Sequence, residues 1–150
     1  MTLEALLAYA HILAILSLVV FGTSEAALCR MEWMNAQVVE RLVKVDRIYG
    51  AAAAAVLLTG LARTWWGIKG SAWYWTNGLL HLKLGLFLAV ALMSIKPTMM
   101  FIRWRRQLRA GGGLPDEAQV RQARRWVMVQ THVIALLPLP AVFLARGFGA

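Results

Sequence analysis

Three histidines, a glutamate and a lysine lie inside apolar stretches of this sequence, where ionisable groups are costly and become candidates for function. His11 stands in "LAYAHILAILSLVVFGTSEAAL", Glu25 further along the same run, His81 and Lys83 in "NGLLHLKLGLFLAVAL", and His132 in "VMVQTHVIALL". Two neutral imidazoles facing each other across a helical bundle are a usual way to hold a haem in a membrane. Depth along helices of 1.5 Å rise puts His11 roughly 12 Å and His81 roughly 6–10 Å below one boundary, with His132 displaced toward the other by about 10 Å or more. The pair that could share a haem b is therefore His11 and His81. On a helix His11, Ala14, Leu18, Gly22 and Glu25 fall on one stripe, expected to face the bundle interior, and Gly78, His81 and Gly85 on another. Small residues in the second stripe would let a macrocycle or a neighbouring helix approach closely. The plainer alternative is that each histidine hydrogen-bonds a neighbouring helix and the glycines serve packing alone.

His81 and Lys83 lie about 200° apart around a helix, so they cannot both line one site on a regular helix. Lys83, roughly 9 Å below the boundary at Asn77, has a stem long enough to snorkel outward. Glu25 is expected near the far end of its helix, close to Asp46 and Arg47. With Arg30 these form a structural polar network, the sharper alternative being a proton-handling carboxylate at Glu25. No acidic residue accompanies the histidines at matching depth, so no metal site is expected. The sequence contains no nucleophile elbow, phosphate loop or zincin motif, and catalytic residues are not identifiable.

The elements that must position these groups follow from composition. Of the 150 residues, 60% are hydrophobic, more than one soluble core would hide. Four segments are long and apolar enough to cross a bilayer: about 3–28, 48–66, 74–95 (continuing past Pro97 toward 104) and 126–145. Strands left open to lipid would strand their backbone groups, so the fold class is all-α, an integral membrane four-helix bundle forming a single domain over 1–150. The one cysteine, Cys29, excludes an internal disulfide and reads as a small buried hydrophobe. The N-terminal run lacks a basic leader and reads as a span rather than a cleaved signal.

The chain carries 16 Lys and Arg against 7 Asp and Glu. In a soluble protein that excess would suggest nucleic acid; here the basic residues cluster between apolar runs, which excludes that class and points to membrane loops. Arg30, Arg41, Lys44 and Arg47 join spans one and two, and Lys96, Arg103, Arg105, Arg106, Arg109, Arg121, Arg124 and Arg125 join spans three and four. Against those twelve, the opposite side has Arg63, Lys69 and Arg146. Both termini are therefore expected outside, in the periplasm if the host is a bacterium, with two basic loops inside and a multi-pass inner-membrane location. Trp65, Trp66, Trp73, Tyr74 and Trp75 form an aromatic belt at the outer boundary, and Trp104 and Trp126 at the inner one. "MEWMNAQVVERLVKV" reads as an interfacial helix or an extension of span two, and Asp116 as the cap of a helix leading into span four.

"VDRIYGAAAAAVLLTGLAR", "KGSAWYWTN", "LKLGLF", "SIKPTMMFIRWRR" and "LPLPAVFLARGFGA" resemble, in order and over nearly the whole chain, a family of predicted bacterial inner-membrane proteins known as a domain of unknown function. The polar positions that match it are His11, Glu25, Asp46, Arg47, Tyr49, Arg63, Lys69, Lys83, Lys96, Arg103 and Arg146. The resemblance implies architecture and no activity. More distantly, His11 in span one and "LHLKL" in span three resemble a group that includes the HemJ-type protoporphyrinogen oxidases and the CopD copper-resistance proteins. That likeness implies a haem b- or tetrapyrrole-binding redox protein with His11 as one axial ligand and His81 or Lys83 as the other or as a propionate partner. The alternatives are a non-enzymatic membrane subunit or assembly partner, with a protein partner or a second copy in the bilayer, and a small-solute carrier.

Overall fold

A computed structural model describes residues 2–67 and 69–149. Among them every regular element is helical: α1 (Thr2–Leu28), a 3₁₀ turn (Met31–Trp33), α2 (Ala36–Trp66), α3 (Ser71–Thr76), α4 (Gly78–Arg109), α5 (Glu117–Leu136) and α6 (Pro138–Ala145). Four helical stretches are long and apolar enough to cross a membrane: α1, α2, α4 and the combined α5–α6. They form a closed ring in which α1 packs on α2, α2 on α4, α4 on α5 and α5 back on α1.

α1 is apolar all round but buries only the stripe His11, Ala14, Leu18, Gly22, Glu25 and Ala26. Its other faces leave Leu6 65% and Tyr9 66% exposed, and lipid is the solvent that suits such side chains. α4 has 32 residues, about 48 Å at 1.5 Å each, against a hydrocarbon layer of about 30 Å. The surplus of α2 and α4 extends at the end that carries the basic loops. There Ala26, Val39, Val43, Phe101, Trp104 and Val127 belong to one apolar cluster, while Leu18, Tyr49, Val56, Val90 and Ile134 belong to a second toward the termini.

Local sequence sets the ends. Asn35 accepts from the Val38 amide at 2.9 Å and starts α2, so the basic linker is an extension of the second span rather than a separate helix. Asp116 accepts from Gln119 at 2.8 Å and starts α5 ahead of the membrane, as its spacing implied. α4 stops in a Schellman turn, with Gly112 N–H on Gln107 C=O at 2.9 Å and Gly111 N–H on Leu108 C=O at 3.1 Å. Gly111 carries φ 80°, a backbone that side chains disfavour. Pro97 lies inside α4, which continues through it to Arg109. In the last span, Pro138 and Pro140 cannot donate to Ile134 and Leu136, and the helix breaks between α5 and α6. α5 stays against α1 while α6 packs on α4. Lys69 donates to the carbonyls of Leu144 and Ala145, both at 3.3 Å, placing a cation at the negative end of α6.

One anchor belongs elsewhere. Trp104, expected at the inner boundary, is 2% exposed and packs edge-on against Phe101, so it is core. Trp126 remains at the surface, with the Lys96 ammonium 4.7 Å from its ring centre.

Candidate functional site

His11 is 3% exposed on the inner stripe of α1. Its Nδ1 lies 2.8 Å from Thr59 Oγ1. The Thr59 hydroxyl is itself directed at the Ala55 carbonyl, 2.6 Å away. A hydroxyl has one hydrogen, and with that hydrogen on the Ala55 carbonyl the histidine donates from Nδ1 and Thr59 accepts. A neutral imidazole that donates from Nδ1 keeps a bare lone pair on Nε2. That nitrogen is buried and has no partner among the described residues. Gly60 makes the approach possible: a Cβ there would stand 3.2 Å from His11 Cε1.

His11 lines a cavity of about 580 Å³, open along part of its surface, between α1, α2, α4 and the α5–α6 break, in the half of the bundle nearer the termini. Its wall is mostly apolar, with Ile15, Val56, Phe87 and Ile134 among its residues. The polar groups that interrupt it are chiefly cationic or hydroxylic: Arg63 and Thr64 from α2, Tyr74 from α3, Lys83 from α4 and Thr131 from α5. No carboxylate lines it, and among the described residues neither Lys83 nor Arg63 makes an ion pair or a side-chain hydrogen bond. Cations without counter-charges in an apolar wall select an anion.

The expected pairing of His11 with His81 is not what the fold brings together. His81, Gly78 and Gly85 share the exposed face of α4, whereas Leu80 and Val90 face inward and Lys83 is half-buried. His81 Nε2 contacts the Trp75 carbonyl at 2.9 Å. The 200° separation holds, but its sense is reversed: His81 looks outward, and Lys83, expected to snorkel away, joins the His11 cavity. Leu80, Leu84 and Phe87 set this phase, since burying them inside the ring rotates His81 out. His132 is also exposed, its Nδ1 2.6 Å from the Met128 carbonyl one turn back on its own helix. Among the described residues there is no group of three or more His, Cys, Asp or Glu that could hold a metal ion.

Of the residues expected to form a polar network around Glu25, none bonds to its carboxyl among the described residues. Arg30 is exposed and lies 5.4 Å over the Trp33 ring, and Arg47 is exposed as well. Asp46 is 7% exposed and accepts from Thr98 Oγ1 at 2.8 Å. Glu25 is fully buried with neither carboxyl oxygen partnered among the described residues. Arg47 follows Asp46 directly on α2, and one residue along a helix rotates a side chain by about 100°, out of the core, while Arg30 lies past the end of α1 in extended backbone. Arg63, Tyr74, Thr98 and Gln130 were not singled out as site groups from sequence. For Arg63 the signals are its lone charge beside the aromatic belt and its place among the polar positions that match the resembled family.

A family described as "Predicted membrane protein (DUF2214)" matches residues 3–149. No curated protein and no solved structure matches the chain.

Proposed function

The chain belongs to DUF2214, a family of predicted membrane proteins, and we propose that it is a membrane-embedded binding protein for an amphipathic organic anion. The observation that carries this reading is the placing of Lys83 and Arg63, from two helices and without carboxylate partners, in one apolar cavity of about 580 Å³. That volume lies within the roughly 300–1,000 Å³ common for small-molecule sites. The ligand's apolar body would lie along Ile15, Val56 and Phe87, and its acidic groups would meet the two cations by charge-assisted hydrogen bonds. The break at Pro138 parts α6 from α5 beside the cavity, which suits entry from the bilayer.

Among amphipathic anions, a tetrapyrrole dicarboxylate such as haem b makes use of both cations and of the free histidine nitrogen. Its carboxylates suit Lys83 and Arg63, and its metal suits the bare Nε2 of His11, oriented by Thr59 as a second-shell acceptor. Bound haem would supply one-electron redox chemistry. His81 has no part in this arrangement.

The test is titration of the detergent-purified protein with haem b, read by absorbance, and with a long-chain fatty acid, read by calorimetry. Wild type should give a Soret band that shifts on reduction. His11→Ala should abolish that shift, Lys83→Ala should weaken binding about tenfold or more, and His81→Ala should leave it unchanged. Protein that stays colourless while binding the fatty acid would remove the tetrapyrrole and keep the anion. Failure to bind either would overturn the proposal.

A further inference from the structure

Between the two apolar clusters lies a layer to which each of the four long helices contributes a polar side chain. On α1 Glu25 falls between Leu18 of one cluster and Ala26 of the other. On α2 Asp46 lies between Val43 and Tyr49, which borders the layer from the second cluster, on α4 Thr98 lies between Val90 and Phe101, and on α5 Gln130 lies between Val127 and Ile134. Most of the layer is buried: Glu25 is 0%, Gln130 1%, Tyr49 2% and Asp46 7% exposed, with Thr98 half-buried at its edge. Yet both oxygens of Glu25, both amide atoms of Gln130 and the Tyr49 hydroxyl have no hydrogen-bond partner among the described residues. The Tyr49 ring fits there because α1 has a glycine one turn before Glu25: a Cβ on Gly22 would stand 3.2 Å from Tyr49 Cε2 and 4.0 Å from Thr131 Oγ1, next to Gln130. Native interiors rarely leave so many buried polar atoms unpaired at one level unless something else satisfies them.

The charges make the same point. Glu25 and Asp46 are near enough to interact through space, and the other titratable groups facing them are Tyr49 and the Cys29 thiol. No lysine, arginine or histidine pairs with either carboxyl among the described residues. Arg124, which faces Cys29 from α5, is six residues or about 9 Å before Gln130 and makes no ion pair there. Two carboxyl groups sealed together without a cationic side chain need positive charge from solution. We propose that the layer formed by Glu25, Asp46, Tyr49, Thr98 and Gln130 is a binding site for a small monovalent cation, H⁺ or Na⁺. All its groups offer oxygen atoms, which suits a hard cation as well as a proton. It lies at the level of Lys96 and Arg47 on the exterior, near the basic end, and borders the anion cavity at Gly22 and Thr131. The site stands whether or not that cavity binds an anion.

The full chain in lipid nanodiscs tests this with two readouts. Infrared spectroscopy should show a protonated-carboxyl C=O band, shifted in D₂O and lost in Glu25→Gln or Asp46→Asn, if the cation is H⁺. Thermal unfolding at alkaline pH should move upward in NaCl relative to choline chloride at equal ionic strength, and lose that response in Glu25→Gln, if it is Na⁺. Either result supports the site, and the wild-type readouts stand even if one variant fails to fold. Absence of both overturns it, as does a carboxyl band unchanged in both variants when NaCl gives no upward shift.

Discussion

The Nδ1 of His11 and the Oγ1 of Thr59, 2.8 Å apart, fix which histidine nitrogen is left free, because the threonine's only hydrogen is already directed to Ala55. The pair joins α1 to α2 at the wall of the cavity and gives the imidazole one orientation and one tautomer.

Thr59→Val should therefore cost more than a lost methyl-for-hydroxyl swap. It leaves the His11 N–H buried without an acceptor, a penalty of about 1–3 kcal/mol. Thr59→Ser keeps the acceptor and should retain most of that stability. Denaturant unfolding in mixed micelles checks both, and equal stability of the Val and Ser variants would remove the bond from the argument.

Gly60→Ala tests the same wall from the other side. A Cβ 3.2 Å from His11 Cε1 forces the ring to yield by a few tenths of an ångström. Ligand binding at the cavity should fall while helix content holds, read by titration beside circular dichroism. Unaltered binding would show that His11 is not held against its site.

Cys29 follows α1 and is fully buried. Burial pushes its thiol up to about 12, so near pH 8 the reactive thiolate is a minute fraction. The sign is that of a group whose charged form is penalised: reactivity should rise only as pH climbs toward that value. Maleimide should label the folded protein at least tenfold more slowly than protein opened in detergent denaturant, followed by mass spectrometry. Equal rates would place the thiol at the surface.

Asp116→Ala removes the acceptor for the Gln119 amide and should destabilise the bundle by about 1 kcal/mol, with Asp116→Asn close to neutral. Thermal unfolding of the three proteins decides it, and Ala behaving like Asn would show the cap to be idle.

The basic loops set an expected topology, with Arg121 on the inside and Ser71 on the outside. In a Cys29→Ala background, an impermeant maleimide added to intact cells should label Ser71→Cys and spare Arg121→Cys. The opposite pattern would invert the bundle.

What the sequence determined by itself was whatever depends on length and local pattern. Four apolar runs long enough for a bilayer left helices as the only economical spans, because unsatisfied backbone groups are so costly in lipid. Asp116 announced its helix, and the stripe from His11 to Glu25 announced the inner face of α1, because capping and 3.6-residue periodicity are local properties. α4 carried no such clarity. Its spanning part is apolar on every side, so the glycine stripe with His81 read as the inner face and Lys83 as the group that turns outward. Only the packing of Leu80, Phe87 and Val90 against the other helices chose between them. The same holds for Trp104, which length placed at a boundary and packing placed in the core. Gln130 and Thr98 carried no signal as lone polar residues. Their significance comes from level, since residues more than seventy positions from Glu25 in sequence come level with it only once four helices pack side by side. Distance along a helix is written in the sequence, whereas rotation about its axis is decided by its neighbours.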